Sequence, residues 1–171
     1  LPTDFWEEGW FTEGKFAVYD GEKKLPVQRT YTLRGAFVAC VVELAPKERR
    51  VLTIRFGEEP AQGNPGYRFF GLEKDEKGIS SLSYQGRKIF DRKDGDFCVP
   101  VYQIFRGGNR RDAAGFGYSA RTKPAMEIIE GKLLGFKVAE DGNVFTKFVY
   151  DYEIEGSRRT SVTVYVYKDL P

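Results

Sequence analysis

The chain has 171 residues, 41% hydrophobic and 15% aromatic, enough for one domain with a substantial core and too apolar for a disordered chain. Its 27 basic and 25 acidic residues leave a net charge of +2, which excludes a polycation held to nucleic acid by bulk charge. There is no histidine, so the commonest general base near neutral pH and the commonest transition-metal ligand are both missing. Composition therefore points away from an enzyme.

No apolar run reaches the roughly 20 residues that cross a bilayer as a helix, so a soluble chain is expected. The start at Leu1 instead of Met reads as a processed mature end or a trimmed chain, with any targeting peptide already gone.

Along the chain, an aromatic N-terminal stretch (Phe5, Trp6, Trp10, Phe11) is expected to pack on its own domain or dock on a partner. Residues 15–19 and 27–33 read as strands, with a turn near Asp20 and Gly21. Over 38–44, Val38, Cys40, Val42 and Leu44 alternate onto one face. Over 51–56, Leu52, Ile54 and Phe56 do the same. The polar, proline-containing link between them predicts a hairpin. Residues 57–95 are rich in Gly, Pro, Asn and charge, and read as a long loop excursion holding a small hairpin. An apolar strand is expected over 97–102.

Residues 124–130 carry the one helical signal, a proline at a first turn followed by Ala125, Met126, Glu127, Ile128 and Ile129. In 133–138, Leu134, Phe136 and Val138 are expected to point inward, ahead of turn chemistry at Glu140, Asp141, Gly142 and Asn143. The longest alternation puts Val144, Thr146, Phe148, Tyr150, Tyr152 and Ile154 on one side. Val162, Val164 and Val166 close the pattern over 160–167. The fold class is all-β: a single antiparallel β-barrel spanning 1–171, with the 57–95 excursion and one short helix. Closure would remove edges that so many aromatic strands would otherwise expose.

Acidic pairs (Glu7/Glu8, Glu58/Glu59, Asp94/Asp96) fall in loops and read as solvated carboxylates. The glycines do not lie between a strand and a real helix, so no phosphate-binding loop is present. Cys40 and Cys98 sit in apolar strand-like surroundings and read either as buried free thiols or as a disulfide. Two cysteines cannot make a zinc site alone, so no metal site is expected.

The candidate site follows Asp94, Gly95, Asp96, Phe97, Cys98, Val99, Pro100, Val101 and Tyr102. There the chain opens into a glycine-rich segment with Arg106, Arg110, Arg111 and Asp112. Such a loop is either a solvated turn or a docking surface, for which the planar guanidinium suits carboxylates and carbonyl groups.

That stretch, the later Phe116, Gly117 and Tyr118, and Pro124 with Ala125 resemble PsbO, the manganese-stabilising extrinsic protein family of photosystem II. Upstream, residues 29–33 and the Val41–Val42–Glu43–Leu44 region are similar to the same family, as is the final strand over 160–170. The resemblance covers about two thirds of the chain in collinear order. It departs from the family between Leu33 and Phe37, which is compressed, and over 57–95, which is enlarged. The aspartate-rich motif before the last strand and the N-terminal cysteine pair have no counterpart. Ser119 stands where the family has an acid.

What the resemblance implies is a non-catalytic subunit that docks on and shields a photosystem II oxygen-evolving complex, without a proton-relay role. It would sit on the lumenal side of the thylakoid membrane, against membrane-embedded core subunits and other extrinsic subunits, with no nucleic-acid partner. Arg106, Arg110, Arg111, Asp112 and Tyr118 would carry the contacts. The alternative is a lipocalin-like barrel binding an apolar small molecule, which would need a cavity with Tyr150 and Tyr152 unpacked.

Overall fold

A computed structural model describes residues 14–32, 35–106, 125–155 and 158–170. They form β1 (Phe16–Asp20), β2 (Lys23–Leu25), β3 (Val27–Thr32), β4 (Gly35–Cys40), β5 (Leu52–Phe56), β6 (Phe70–Asp75), β7 (Gly78–Tyr84) and β8 (Arg87–Asp91). One turn of 3-10 helix (Arg92–Asp94) follows. Then come β9 (Val101–Arg106), β10 (Ala125–Glu130), β11 (Lys132–Asp141), β12 (Phe145–Ile154) and β13 (Arg158–Tyr167).

The strands pair antiparallel in five sheets, ordered β2-β1-β5, β3-β4, β6-β7-β8, β9-β10 and β11-β12-β13. The all-β reading holds. Among the described residues, however, the sheets do not close into the expected barrel.

One reason is visible at β3. Its ladder with β4 ends at Val27 opposite Cys40, and Pro26, the next residue, has no N–H with which to continue. The chain therefore leaves the sheet after Cys40, and residues 41–51 form no strand. The expected hairpin between 38–44 and 51–56 does not form. Instead β4 pairs with β3, and β5 runs along β1 from Phe16 opposite Phe56 to Asp20 opposite Leu52. Leu44 and Val51, left outside the ladder, are exposed.

Two apolar clusters result. The first gathers Phe16, Val18, Leu25, Val27 and Val38 between the β1 and β3 sheets. The second gathers Ile79, Leu82, Phe148, Tyr150, Tyr152 and Val166 between β6-β7-β8 and β11-β12-β13. The 57–95 region is thus only in part a loop. Its distal half is a three-stranded meander that covers one side of the second core.

Polar contacts join the halves. Buried Gln28 of β3 accepts, through Oε1, the N–H groups of Val144 (3.1 Å) and Phe145 (2.9 Å). Nearby, Thr30 donates to Glu140 at 3.0 Å, and Lys147 donates to the same carboxylate at 2.9 Å.

The β11–turn–β12 hairpin forms as expected, and all six residues expected inward are buried: Val144 just ahead of β12, and Thr146, Phe148, Tyr150, Tyr152 and Ile154 within it. On β11 the phase differs. A register shift between Leu133 and Gly135 makes Leu134 the extra residue of a bulge, and a second follows Val138. Leu133 and Phe136 therefore pack on the core, whereas Leu134 and Val138 are exposed. Residues 124–130 also depart from expectation: β10 is a strand, not a helix. One or two turns of isolated helix are marginal, and pairing with β9 satisfies the backbone of a stretch containing Ile128 and Ile129.

Candidate functional site

The expected strand over 97–102 begins only after Pro100. Ahead of it, Asp91 caps the 3-10 turn by accepting the Lys93 N–H at 3.1 Å. The chain then turns at Cys98, which takes a left-handed φ of 58°. This entry is fastened to the second core. Phe97 packs edge-on against Phe90, 4.9 Å between ring centres, and its carbonyl accepts the Tyr152 hydroxyl at 2.8 Å.

A second tie closes the base of β9 and β10. The Gly131 N–H donates to the Pro100 carbonyl at 2.9 Å. A Cβ on Gly131 would lie 2.7 Å from the Pro100 ring, so the close approach requires glycine here.

From that base β9 and β10 run as an isolated ribbon, from Val101 opposite Glu130 to Arg106 opposite Ala125. Among the described residues no third strand joins either one. The register places Gln103 and Ile128 on one face and Tyr102 and Ile129 on the other, because directly opposed residues share a face. Val101 is 57% exposed, Ile128 59% and Tyr102 38%, so apolar side chains lie open on both faces.

The pairing of Arg106 with Ala125 sets opposite one another the two residues that flank 107–124 in the sequence. Of the anticipated site residues, Arg106 is the last residue of β9. Arg110, Arg111, Asp112 and Tyr118 lie outside the described residues. What sequence reasoning missed is the stem: Val101, Tyr102 and Ile128 were read as strand or helix positions. The signal that could have found them was the weak helical pattern of 125–130, rich in β-branched residues.

The interior presents a different picture. Tyr150 and Tyr152 are fully buried. The Tyr150 hydroxyl oxygen accepts the Ile79 N–H at 2.9 Å, and rings of Phe97 and Phe136 pack around it. Burial raises the pKa of both tyrosines, that of Tyr152 to about 12. The space in which an apolar ligand was envisaged is occupied by side chains.

Cys40 and Cys98 are both free thiols, Cys40 half-buried and Cys98 exposed, so the disulfide alternative is not realised and Cys98 is not the buried thiol expected. Burial pushes the Cys40 thiol up. Among the described residues, no group of three or more Cys, Asp or Glu side chains is placed to hold a metal ion, and no helix is long and apolar enough to cross a membrane. Comparison with protein-family models, with curated proteins and with solved structures finds no match to this chain.

Proposed function

We propose that the chain is a non-catalytic extrinsic subunit that docks on a larger complex through the β9–β10 ribbon and the basic segment it carries. The observation behind this reading is the ribbon itself. A two-stranded ribbon is marginal alone in water, and among the described residues this one leaves apolar residues open on both faces and both strand edges unpaired. A partner that covers it gains apolar burial and main-chain hydrogen bonds together.

Charge adds to the case. Between Arg106 and Lys123 the sequence holds five basic residues (Arg106, Arg110, Arg111, Arg121, Lys123) against one acid, Asp112, although the whole chain is only +2. The ribbon would present that local excess to an acidic surface, which favours fast, salt-sensitive docking. The filled interior around Tyr150 and Tyr152 speaks against the lipocalin-like alternative.

The identity of the complex rests on the residue resemblance. It makes the partner the photosystem II oxygen-evolving complex, with the chain peripheral to the thylakoid membrane on its lumenal side and no cofactor of its own. Tagged chain incubated with solubilised thylakoid membranes tests this reading. It predicts co-purification of chlorophyll-binding core proteins. Recovery of the chain alone at low salt would overturn the photosystem assignment.

A further inference from the structure

Apart from the ribbon, one edge of the protein is open in an unusual way. β13 pairs with β12 along all ten of its residues without a register shift, and among the described residues its other edge has no strand beside it. The other edges around the second core are interrupted or charged. The β11 ladder is bulged twice, and β11 carries Lys132, Lys137, Glu140 and Asp141. β8 carries Arg87, Lys88 and Asp91 beside a register shift. Those are the features by which sheets discourage the addition of a foreign strand. β13 has none of them between Thr160 and Tyr167, where every residue is uncharged and none is proline.

Beside this edge lies an apolar cavity of about 230 Å³. Phe70, Leu82 and Phe97 form one wall, and consecutive residues of β13, 164–167, form the other. Successive residues of a strand point to opposite faces, so a cavity touching all four must lie along the strand's edge. Its size suits one aromatic or large aliphatic side chain. At the far end of the strand, Arg158 and Arg159 are exposed and make no ion pair with another described residue, although Glu153 stands opposite Arg159 in register.

We infer that the free edge of β13 is a strand-addition site for an extended acidic segment of a partner protein. The segment pairs antiparallel to β13, inserts one bulky apolar side chain beside Val164 and Val166, and sets carboxylates against Arg158 and Arg159 about six positions later. A second copy of the chain fits less well. Antiparallel self-pairing centred on Thr163 sets Arg158 against Lys168, like charge on like. The site is distinct from the β9–β10 ribbon and stands whether or not that ribbon docks as proposed.

The test uses the full chain and a fluorescein-labelled ten-residue peptide. The peptide has a phenylalanine near its amino end, alternating threonine and valine, and two glutamates at its carboxyl end. Anisotropy should show saturable binding, and amide exchange should slow across 158–167. Replacing the peptide phenylalanine by alanine should weaken binding about ten- to a hundredfold, the cost of one unfilled apolar pocket. The double variant R158E/R159E, exposed and therefore well folded, should lose the acidic peptide and prefer one ending in two lysines. Absence of saturable binding would overturn the inference, as would an unchanged preference in the charge-reversed variant or protection confined to another strand. A concentration-dependent dimer that protects 158–167 without peptide would overturn it as well, in favour of a second copy.

Discussion

Gly78 lies so close to the ring of Tyr150 that a Cβ on it would stand 2.4 Å from the tyrosine Cε1. Gly78 also has φ of +112°, and the next residue, Ile79, donates its N–H to the Tyr150 hydroxyl. One tyrosine thus fixes both the conformation and the position of the turn that starts β7. We expect Gly78→Ala to cost about 2–4 kcal/mol, combining overpacking with backbone strain. Tyr150→Phe should cost about 1–3 kcal/mol by leaving a buried N–H unpaired. Urea denaturation of the two variants checks both values.

Gln28 offers a second test of how the two cores are joined. Its side-chain oxygen serves two buried backbone N–H groups, and a Cβ on Gly142 would press within 2.3 Å of the Gln28 Cδ. Gln28→Ala should therefore destabilise by about 2–4 kcal/mol, more than an ordinary polar truncation, because two donors lose their partner at once. Hydrogen exchange should quicken at Val144 and Phe145 before it does at Ile79.

The alkaline limb of stability follows from the tyrosines. Burial raises Tyr152 to about 12 from an unfolded value of 10.0. A raised folded pKa means that the stabilising contribution is fully present below pH 10 and is lost as pH rises towards 12. The difference amounts to about 2–3 kcal/mol. Tyr152→Phe should flatten the fall in the urea midpoint between pH 9 and pH 11.5. An equally steep fall in the variant would show that other groups control it.

The acid limb runs the opposite way. Burial works against the charge on Asp141, but the Thr146 hydroxyl and the Lys168 ammonium outweigh it and hold the carboxyl below its ordinary range. That contribution is present above the unfolded value of 3.8 and is lost as pH falls through the folded one. Asp141→Asn should lower stability at pH 7 and reduce its dependence on pH below 4, measured by thermal melts.

How far the sequence speaks can be seen strand by strand. Alternation in β12 announces its buried face in full, with Thr146, Phe148 and Tyr150 each opposite a valine of β13. On β11 the same rule fails at Leu134, the extra residue of a bulge that changes phase without changing composition; Val138 keeps the core phase opposite Phe148 and is nonetheless exposed. Partner choice was also hidden. That β5 joins β1 and not β4 depends on where Pro26 ends a ladder and on packing across the first core, both non-local. For the site, the arginines and their order were legible, but the strand expected over 97–102 begins only at Val101. The ribbon that ends at Arg106 depends on β10 pairing with β9, which local helix signals in 125–130 disguised.

The stem of the ribbon separates docking from folding. Val101 and Ile128 are more than half exposed, so V101S/I128S should change stability by no more than about 0.5–1 kcal/mol. If the ribbon docks as proposed, the same double variant should bind the complex distinctly less well, since apolar contact with the partner is then lost. Paired measurements of melting temperature and co-sedimentation with membranes check it.

The most direct measurement is a salt titration of retention on photosystem-containing membranes, comparing the natural chain with R106A/R110A/R111A. If the segment closed by Arg106 and Ala125 is the docking surface, the triple variant keeps its circular dichroism and melting temperature but leaves the membranes at lower salt, with affinity reduced about tenfold or more. Equal retention of both proteins across the titration would contradict the account.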